Sequence, residues 1–190
     1  MPRISAPTVA EHRAAQKASL LAAAEAIIHE QGIDAVNPRS VGERAGLARS
    51  SVYEYFRSRD DILAAVAIQA IERWNTEIED SLTGLTGRER LSRFVHQAMR
   101  LAADGHHDLA TRLSQAELAP TDAEEIKRLH RVVIRPLELA FSDVGVDDPM
   151  ISLTLAQGLL NAGIQLVGHG AAPETVAENI LGMITAAITS

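Results

Sequence analysis

The sequence predicts an all-α fold of about nine helices, and three observations support it. Hydrophobic residues make up 46% of the chain but aromatic residues only 3%, so the core is mainly aliphatic, which suits packed helices. No segment alternates apolar and polar residues as a half-buried strand does. Helix-start signals recur along the chain, followed by apolar residues at helical spacing, with starts predicted near residues 8, 38, 49, 58, 87, 106, 121, 149 and 173.

Most of these helices begin at a recognisable capping sequence. Each one places a hydroxyl, amide or carboxylate oxygen, or a proline, where the first turn leaves its N–H groups free. Gly32 is predicted to end the first helix as a left-handed cap, and Pro136 falls inside a later helix. The capping sequences are Thr8–Glu11, Asn37-Pro38, Ser58–Asp61, Thr86–Glu89, Thr121–Glu124, Asp148-Pro149 and Pro173-Glu174.

The composition excludes several classes of site. The chain has no cysteine, which rules out disulfides, thiolate-bound metals and a cysteine nucleophile. No apolar run of about 18 residues lacks polar breaks, and residues 1–7 have no signal-peptide core. We therefore expect a soluble cytoplasmic protein with no membrane partner.

The net charge of −7 is unevenly distributed along the chain. Residues 1–60 contain 8 Lys and Arg against 7 Asp and Glu, whereas residues 61–190 contain 10 against 18. The N-terminal part, with its clustered arginines, is thus able to approach phosphates despite the acidic total.

Residues 37–57 have the pattern of a helix-turn-helix. A short helix at 38–45 buries Val41, Gly46 allows the chain to reverse, and a second short helix at 49–55 buries Val52. The second helix is too short and too polar to be stable alone. Its exposed residues are small, cationic or hydroxylic, as a major-groove reading helix requires.

Residues 13–63 resemble the DNA-binding domain of the TetR family of transcriptional regulators. The resemblance rests on residue types and spacings over three helices and the start of a fourth, at Arg13, Ile27-Ile28, Gly32, Val41, Ala45-Gly46-Leu47, Val52-Tyr53, Tyr55-Phe56, Arg59 and Ile62-Leu63. It implies a DNA-binding domain over 1–57 and an effector-binding and dimerisation domain over 58–190. It also implies a homodimeric repressor that leaves a palindromic operator when a small apolar or amphipathic molecule binds.

Side-chain chemistry assigns roles within this segment. Arg49 is the best candidate to read a base edge, most simply guanine O6 and N7, and the hydroxyls suit bases or phosphate oxygens. Ala48 replaces the serine that often caps the reading helix in the family, at a cost of about 1 kcal/mol. The predicted DNA-binding residues are Asn37, Arg39, Arg49, Ser50, Ser51, Tyr53, Tyr55 and Arg59. A solvated helix face for the arginines, and core packing for Tyr55, are the alternatives.

The last two predicted helices, 149–170 and 173–190, carry more apolar surface than an intrachain core needs. We expect them to form a four-helix homodimer interface, the alternative being burial within a monomer. Gln157, Asn161, Gln165 and His169 form a polar stripe on the first of them, and we expect it to face solvent, the partner or, for the first three, a ligand cavity. The predicted ligand-binding residues are Trp74, Phe94, Met99, Leu113, Val133, Gln157, Asn161 and Gln165, the apolar ones having plain core packing as the alternative.

Nothing in the sequence favours an enzyme. The Glu-x-x-His pairs of di-iron bundles and the Gly-x-Ser-x-Gly and phosphate-binding loops are absent, and the adjacent His106 and His107 point about 100° apart on a helix. We predict no catalytic residue, no metal site and no cofactor. Two alternatives stay open: an all-helical enzyme or carrier whose helix-turn-helix is packing only, and a DNA-binding protein whose effector is a protein.

Overall fold

The computed structural model describes residues 9–104, 120–146 and 148–188, and these form helices without any strand. The prediction of an all-α fold is confirmed. The eight described α-helices are α1 (Val9–Gln31), α2 (Pro38–Ala45), α3 (Arg49–Val52), α4 (Arg59–Ser81), α5 (Gly87–Ala103), α6 (Pro120–Val144), α7 (Pro149–Gly168) and α8 (Pro173–Ile188). The helix predicted near 106, the Thr8 capping box, His106, His107 and Leu113 lie outside the described residues.

The chain divides into two compact units. The first holds the described residues up to Val66 together with 120–122, and the second holds the other described residues from Ala67 onward. The division between units falls inside the continuous helix α4, whereas the sequence divides the domains at residue 57. The functional division at 57/58 therefore stays a prediction.

The first unit is held by short elements with well-formed caps. The Asn37 side chain accepts hydrogen bonds from the backbone N–H groups of Arg39 and Ser40, both at 3.0 Å, and the Ser40 hydroxyl accepts from the Asn37 N–H. This reciprocal box and Pro38 start α2 as predicted. Gly32 follows the end of α1 with a positive φ of 88°, but its ψ of 166° is extended, so it is not the left-handed cap that we predicted.

The reading helix α3 is shorter than predicted. It covers Arg49–Val52, and residues 53–55 continue as turns instead of completing a helix to residue 55. Ala48 at its N-cap makes no side-chain hydrogen bond, which confirms the missing cap. The N–H groups of Glu54 and Tyr55 bond three residues back, to Ser51 and Val52, so the chain tightens before it reaches α4.

Two further helix starts follow the sequence and one does not. Ser58 accepts from the Asp61 N–H at 3.1 Å, and Asp148 accepts from the Ile151 N–H at 3.1 Å. Thr86 makes no capping bond through its side chain. Instead, Asp143 of α6 accepts from the Gly87 N–H at 2.9 Å and from Arg90 at 3.0 Å, so the start of α5 is capped from another helix.

The core of the second unit lies where α5, α7 and α8 pack together. All three pairs of these helices are in contact, and their buried side chains join those of α4 and α6 in one hydrophobic cluster. Gly163 makes the close approach possible, because a Cβ there would lie 2.6 Å from Ile180 Cδ1 and 3.0 Å from both Met99 Sδ and Val176 Cγ1. Gly158 of the same helix has no neighbour within 4 Å.

One side of α7 remains apolar and exposed. Met150 is 79% exposed, Leu155 61% and Leu166 56%, and Met183 of α8 is 56% exposed. Judged by length and composition alone, α7 could cross a membrane. No other helix in the described ranges is both long and apolar enough. Its polar residues Gln157, Asn161 and Gln165 recur every fourth position and keep one stripe of the helix polar.

Candidate nucleic-acid interface

The turn between α2 and α3 depends on two glycines. Gly46 ends α2 in the left-handed region, with φ 70° and ψ 25°, and the following N–H, of Leu47, donates to Gly42 O at 2.9 Å. Gly42 lets the two helices meet, since a Cβ there would lie 2.9 Å from Leu47 O and 3.0 Å from Val52 Cγ2. Val41 and Val52 are fully buried on the inner sides of the two helices. The predicted helix-turn-helix is thus present.

Arg49 and Tyr53 form an exposed pair at the surface of α3. The Arg49 Nη2 donates to the Tyr53 hydroxyl at 3.1 Å, and its guanidinium carbon lies 5.6 Å from the centre of the tyrosine ring. Arg49 uses one donor in this way, so the rest of its planar fork faces solvent.

The other residues predicted on this surface differ in their exposure and in their hydrogen-bond partners. Ser50 is exposed and Ser51 half-buried on α3. Arg39 is exposed on α2 and donates to Glu43 at 2.8 Å, one turn along the same helix. This contact raises the pKa of Arg39, mainly through the hydrogen bond, and keeps its charge fixed. Asn37 uses its side-chain oxygen as the helix cap and its Nδ2 to reach Ala35 O at 3.2 Å.

The side chains of Arg59 and Tyr55 form hydrogen bonds within the first unit. Arg59 donates to Val36 O at 3.0 Å and to Ile33 O at 2.9 Å, which ties the start of α4 to the connection before α2. The Tyr55 hydroxyl donates to Gln16 Oε1 at 2.6 Å. Both side chains thus have a structural role, and their assignment to DNA contact stays a prediction with less support than that of Arg49.

Two contacts from α1 fix this surface, and of the two α1 residues that make them, Arg13 was singled out from the sequence and Glu30 was not. Arg13 donates to Glu54 O at 3.0 Å, and its guanidinium carbon lies 5.1 Å from the centre of the Tyr55 ring. Glu30 accepts two hydrogen bonds from Arg44, at the far end of α2. That pairing lowers the pKa of Glu30 from its ordinary value of 4.5, mainly through the hydrogen bond.

This arrangement presents hydrogen-bond donors and positive charge on one short, exposed helix whose orientation is fixed by its neighbours. A guanidinium that extends from the first position of such a helix matches the paired acceptors of a guanine edge, and serine and tyrosine hydroxyls match phosphate oxygens.

The predicted ligand-binding residues of the second unit fall into two groups. Trp74, Phe94 and Met99 are buried in the hydrophobic cluster, with Val133 packed against it. Gln157 is half-buried, and Asn161 and Gln165 are exposed. None of these residues lines either of two surface grooves formed by the described part of the second unit. The assignment to a ligand site stays a prediction.

Two features were not predicted from the sequence: the residues of the larger of these two grooves and a buried amide. Arg93, His96, Gln97 and Arg100 of α5 line that groove together with Glu174 of α8. Counted from Arg93, the other three α5 residues follow at three, four and seven positions, a spacing that places all four on one face of the helix. Asn75 is buried beside Trp74 and donates to Leu129 O at 3.2 Å, but its Oδ1 has no partner among the described residues.

Comparison with known proteins identifies the helix-turn-helix segment. Residues 20–66 match the family model of the bacterial regulatory proteins of the tetR family. Residues 20–66 of this chain are therefore similar to this segment of the tetR-family proteins. The prediction made from residues 13–63 is confirmed, and the buried residues from Leu20 to Val66 are those of the tetR-family segment.

Relatives extend the similarity beyond this segment. The fatty acid metabolism regulator protein of Bacillus subtilis (strain 168) is 27% identical over 118 residues, which are 60% of this chain and 58% of that protein. The match thus spans little more than half of the relative's length. This chain also shares its fold with the transcriptional regulator FadR of Bacillus subtilis, solved in complex with stearoyl-CoA, at a TM-score of 0.72 and 16% identity, covering 90% of this chain and 98% of that one.

The same fold also occurs in a protein that is described as a superantigen and not as a regulator. The superantigen PfiT matches with a TM-score of 0.75 and 20% identity, covering 88% of this chain and 95% of that chain. At such identities the structural likeness shows the fold alone, and function has to be argued from the site.

Proposed function

We propose that this protein is a ligand-responsive transcriptional regulator, acting as a repressor, that binds a palindromic operator as a homodimer. The observation that carries the proposal is the exposed Arg49–Tyr53 pair on the second helix of a tetR-family helix-turn-helix. Neither side chain is needed to fill the core, whereas both supply the donors that a DNA groove and its phosphates accept. Such a regulator works on the chromosome, so the cytoplasm is its place of action.

The homodimer is supported by the exposed apolar face of α7 and α8. Ile151, Leu155, Gly158, Ala162 and Leu166 recur at helical spacing on α7 and are all exposed in the single chain. An apolar stripe of this length on a soluble protein marks an interface. Two copies packed face to face give a four-helix arrangement, and the small residues allow close approach. The polar stripe of Gln157, Asn161 and Gln165 suits hydrogen bonds across such an interface better than contact with lipid.

The effector class follows from the relatives. One is a fatty acid metabolism regulator, and another was solved with stearoyl-CoA. We assign this chain an amphipathic effector of the acyl-CoA type. The aliphatic side chains of the second unit's core are of the kind that surround an acyl chain, and the unpaired Asn75 Oδ1 beside Trp74 offers an acceptor to a ligand N–H or O–H group.

Operator selection tests the proposal directly. The full chain is incubated with genomic fragments, bound fragments are sequenced, and the recovered motif is measured by gel shift against a half-site of the same length. We expect a two-fold symmetric motif, a tighter complex with the full palindrome than with the half-site, and release when an acyl-CoA is added.

Two results would contradict it. A chain that binds all duplexes equally, with the affinity set by salt alone, has no reading function. A chain that binds no duplex, but binds the acyl-CoA, is a carrier whose helix-turn-helix serves only for packing. Release by a protein and not by any small molecule leaves the DNA-binding assignment standing and overturns the effector class.

A further inference from the structure

The larger groove of the second unit has the make-up of an anion site. It lies between the middle of α5 and the start of α8, has a volume of about 400 Å³, and is lined by Arg93, His96, Gln97, Arg100 and Glu174. Sites for small ligands begin at roughly 300 Å³, so the groove has room for one headgroup. Its lining carries two guanidinium groups against one carboxylate.

Both arginines are available to a ligand. Arg93 and Arg100 are exposed, and neither forms an ion pair or hydrogen bond with any residue in the described ranges. This sets them apart from Arg39, Arg44, Arg90 and Arg128, each of which is paired with a carboxylate. They stand seven residues apart on one helix face, which places their Cα atoms about 10 Å apart along the axis.

Gln97 provides the second, independent observation. It is only 7% exposed, yet its amide has no hydrogen-bond partner within the described part of the chain, and it borders the groove. The amide is not sealed from solvent, so it opens onto the groove and can bond a polar group that enters there. It lies between the two arginines in sequence, one turn from each, and so faces the middle of anything that spans them.

We infer that this groove binds the phosphate-bearing nucleoside end of the effector. The two arginines would hold separate phosphate groups, and Gln97 would donate to or accept from the polar group between them. Coenzyme A has this chemistry, with a diphosphate and a separate 3′-phosphate on one nucleoside. The inference rests on the proposed function for the ligand class, but the groove's affinity for phosphates is measured without DNA.

Calorimetry on the full chain tests the groove with defined probes. Coenzyme A is titrated first, then dephospho-coenzyme A, which lacks the 3′-phosphate, and pantetheine, which lacks the nucleotide. We expect coenzyme A to bind about tenfold more tightly than dephospho-coenzyme A, because one charged contact is lost, and pantetheine not to bind measurably. Inorganic pyrophosphate distinguishes a nucleoside site from a site for any free phosphate.

Variants localise the binding. The double variant R93Q/R100Q should lower the affinity for coenzyme A by at least about tenfold, and Gln97→Leu should lower it by several fold with no loss of thermal stability. Glu174→Gln removes a negative charge that repels the phosphates of the ligand, and it should tighten binding of coenzyme A about twofold. The matched control R88Q/R131Q removes two exposed arginines of the same unit from outside the groove and should leave the affinity unchanged.

Three outcomes would overturn the inference. They are no binding of coenzyme A to the unmodified chain, equal weakening by R93Q/R100Q and R88Q/R131Q, and pyrophosphate binding as tightly as coenzyme A. In each case operator binding, measured by gel shift on the same preparations, reports separately on the proposed function. If the protein binds its operator but not coenzyme A, the result contradicts the assignment of the groove and leaves the DNA-binding function standing.

Discussion

Arg49 is the residue on which sequence recognition depends most. It extends from the first position of α3, and its one described partner is the neighbouring Tyr53 hydroxyl. Arg49→Ala should weaken operator binding by about 1–3 kcal/mol and relax the preference at one base pair of each half-site. Gel shifts over a library of single-base operator variants measure both effects.

The matched control is Tyr53→Phe, which keeps the ring and removes only the hydroxyl. It should cost less affinity and leave the base preference intact, since a phosphate contact positions without reading sequence. An Arg49→Ala protein with unchanged affinity and preference would remove Arg49 from the reading surface.

Asn75 gives a residue-scale prediction about stability. Its Nδ2 donates to Leu129 O, but its Oδ1 is buried without a partner in the described ranges. Leucine has nearly the same shape and removes the unsatisfied acceptor, so Asn75→Leu should leave the free energy of unfolding equal or higher by about 1 kcal/mol. Urea denaturation measures it. A loss of more than about 1 kcal/mol would mean that the Oδ1 has a partner in the folded protein.

At the scale of elements, the contact between α2 and α3 has little room. A methyl group on Gly42 would meet the Leu47 carbonyl at 2.9 Å, a backbone atom that cannot turn away. Gly42→Ala should therefore cost about 1–3 kcal/mol of stability and separate the two helices. Denaturant unfolding together with operator affinity measures this. Gly158→Ala, with no neighbour within 4 Å in the single chain, is the control for simple glycine replacement.

The pair between Glu30 and Arg44 joins the end of α1 to the end of α2 and makes stability depend on pH. The pKa of Glu30 lies below 4.5 in the folded protein, so the stabilisation is present above that pH and is lost as the pH falls through the lower, folded value. Glu30→Gln should therefore lower the melting temperature at neutral pH and flatten its decline below about pH 4.5. Glu138→Gln, an exposed carboxylate of α6, controls for the loss of one negative charge.

The elements themselves were mostly predictable from the sequence, because local chemistry fixes them. Asn37 and Asp148 cap the helices that follow them, as their side chains and the adjacent prolines indicate. Thr86 failed as a predictor because its role is taken by Asp143, which lies 57 positions further along the chain and is brought to the cap only by folding. The early end of α3 also depends on its environment, since nothing in its residues forbids another turn.

The candidate site was predictable in its residues but not in their partners. Periodicity placed Arg49, Ser50 and Tyr53 on the exposed side, where they lie. It gave no indication that Arg59 reaches two carbonyls of the connection before α2, or that Tyr55 donates to Gln16, because those partners are 23 or more positions away. The groove between α5 and α8 was missed for the same reason.

At the scale of the whole molecule, operator binding should depend on dimerisation. Leu155 is 61% exposed at the centre of the apolar face of α7, and Leu155→Asp places a charge where two copies would meet. Analytical ultracentrifugation should find monomers, and operator affinity should fall by roughly a hundredfold or more, because two linked half-site contacts become one.

Leu139→Asp is the control for this substitution. Leu139 is an exposed leucine of α6, 44% exposed and away from the proposed interface, and it should leave a dimer with normal operator affinity. A Leu155→Asp protein that stays dimeric would place the interface elsewhere.

The double use of polar residues around the turn has a consequence for genetics. Asn37 caps α2, Arg59 anchors α4 and Tyr55 holds α1, although all three belong to the residue types that touch phosphates. A screen of random mutants for derepressed reporter colonies would recover these positions alongside Arg49, and the phenotypes would be indistinguishable on the plate. Melting curves of the purified mutant proteins would separate the variants that are unfolded from those that are folded but no longer bind the operator.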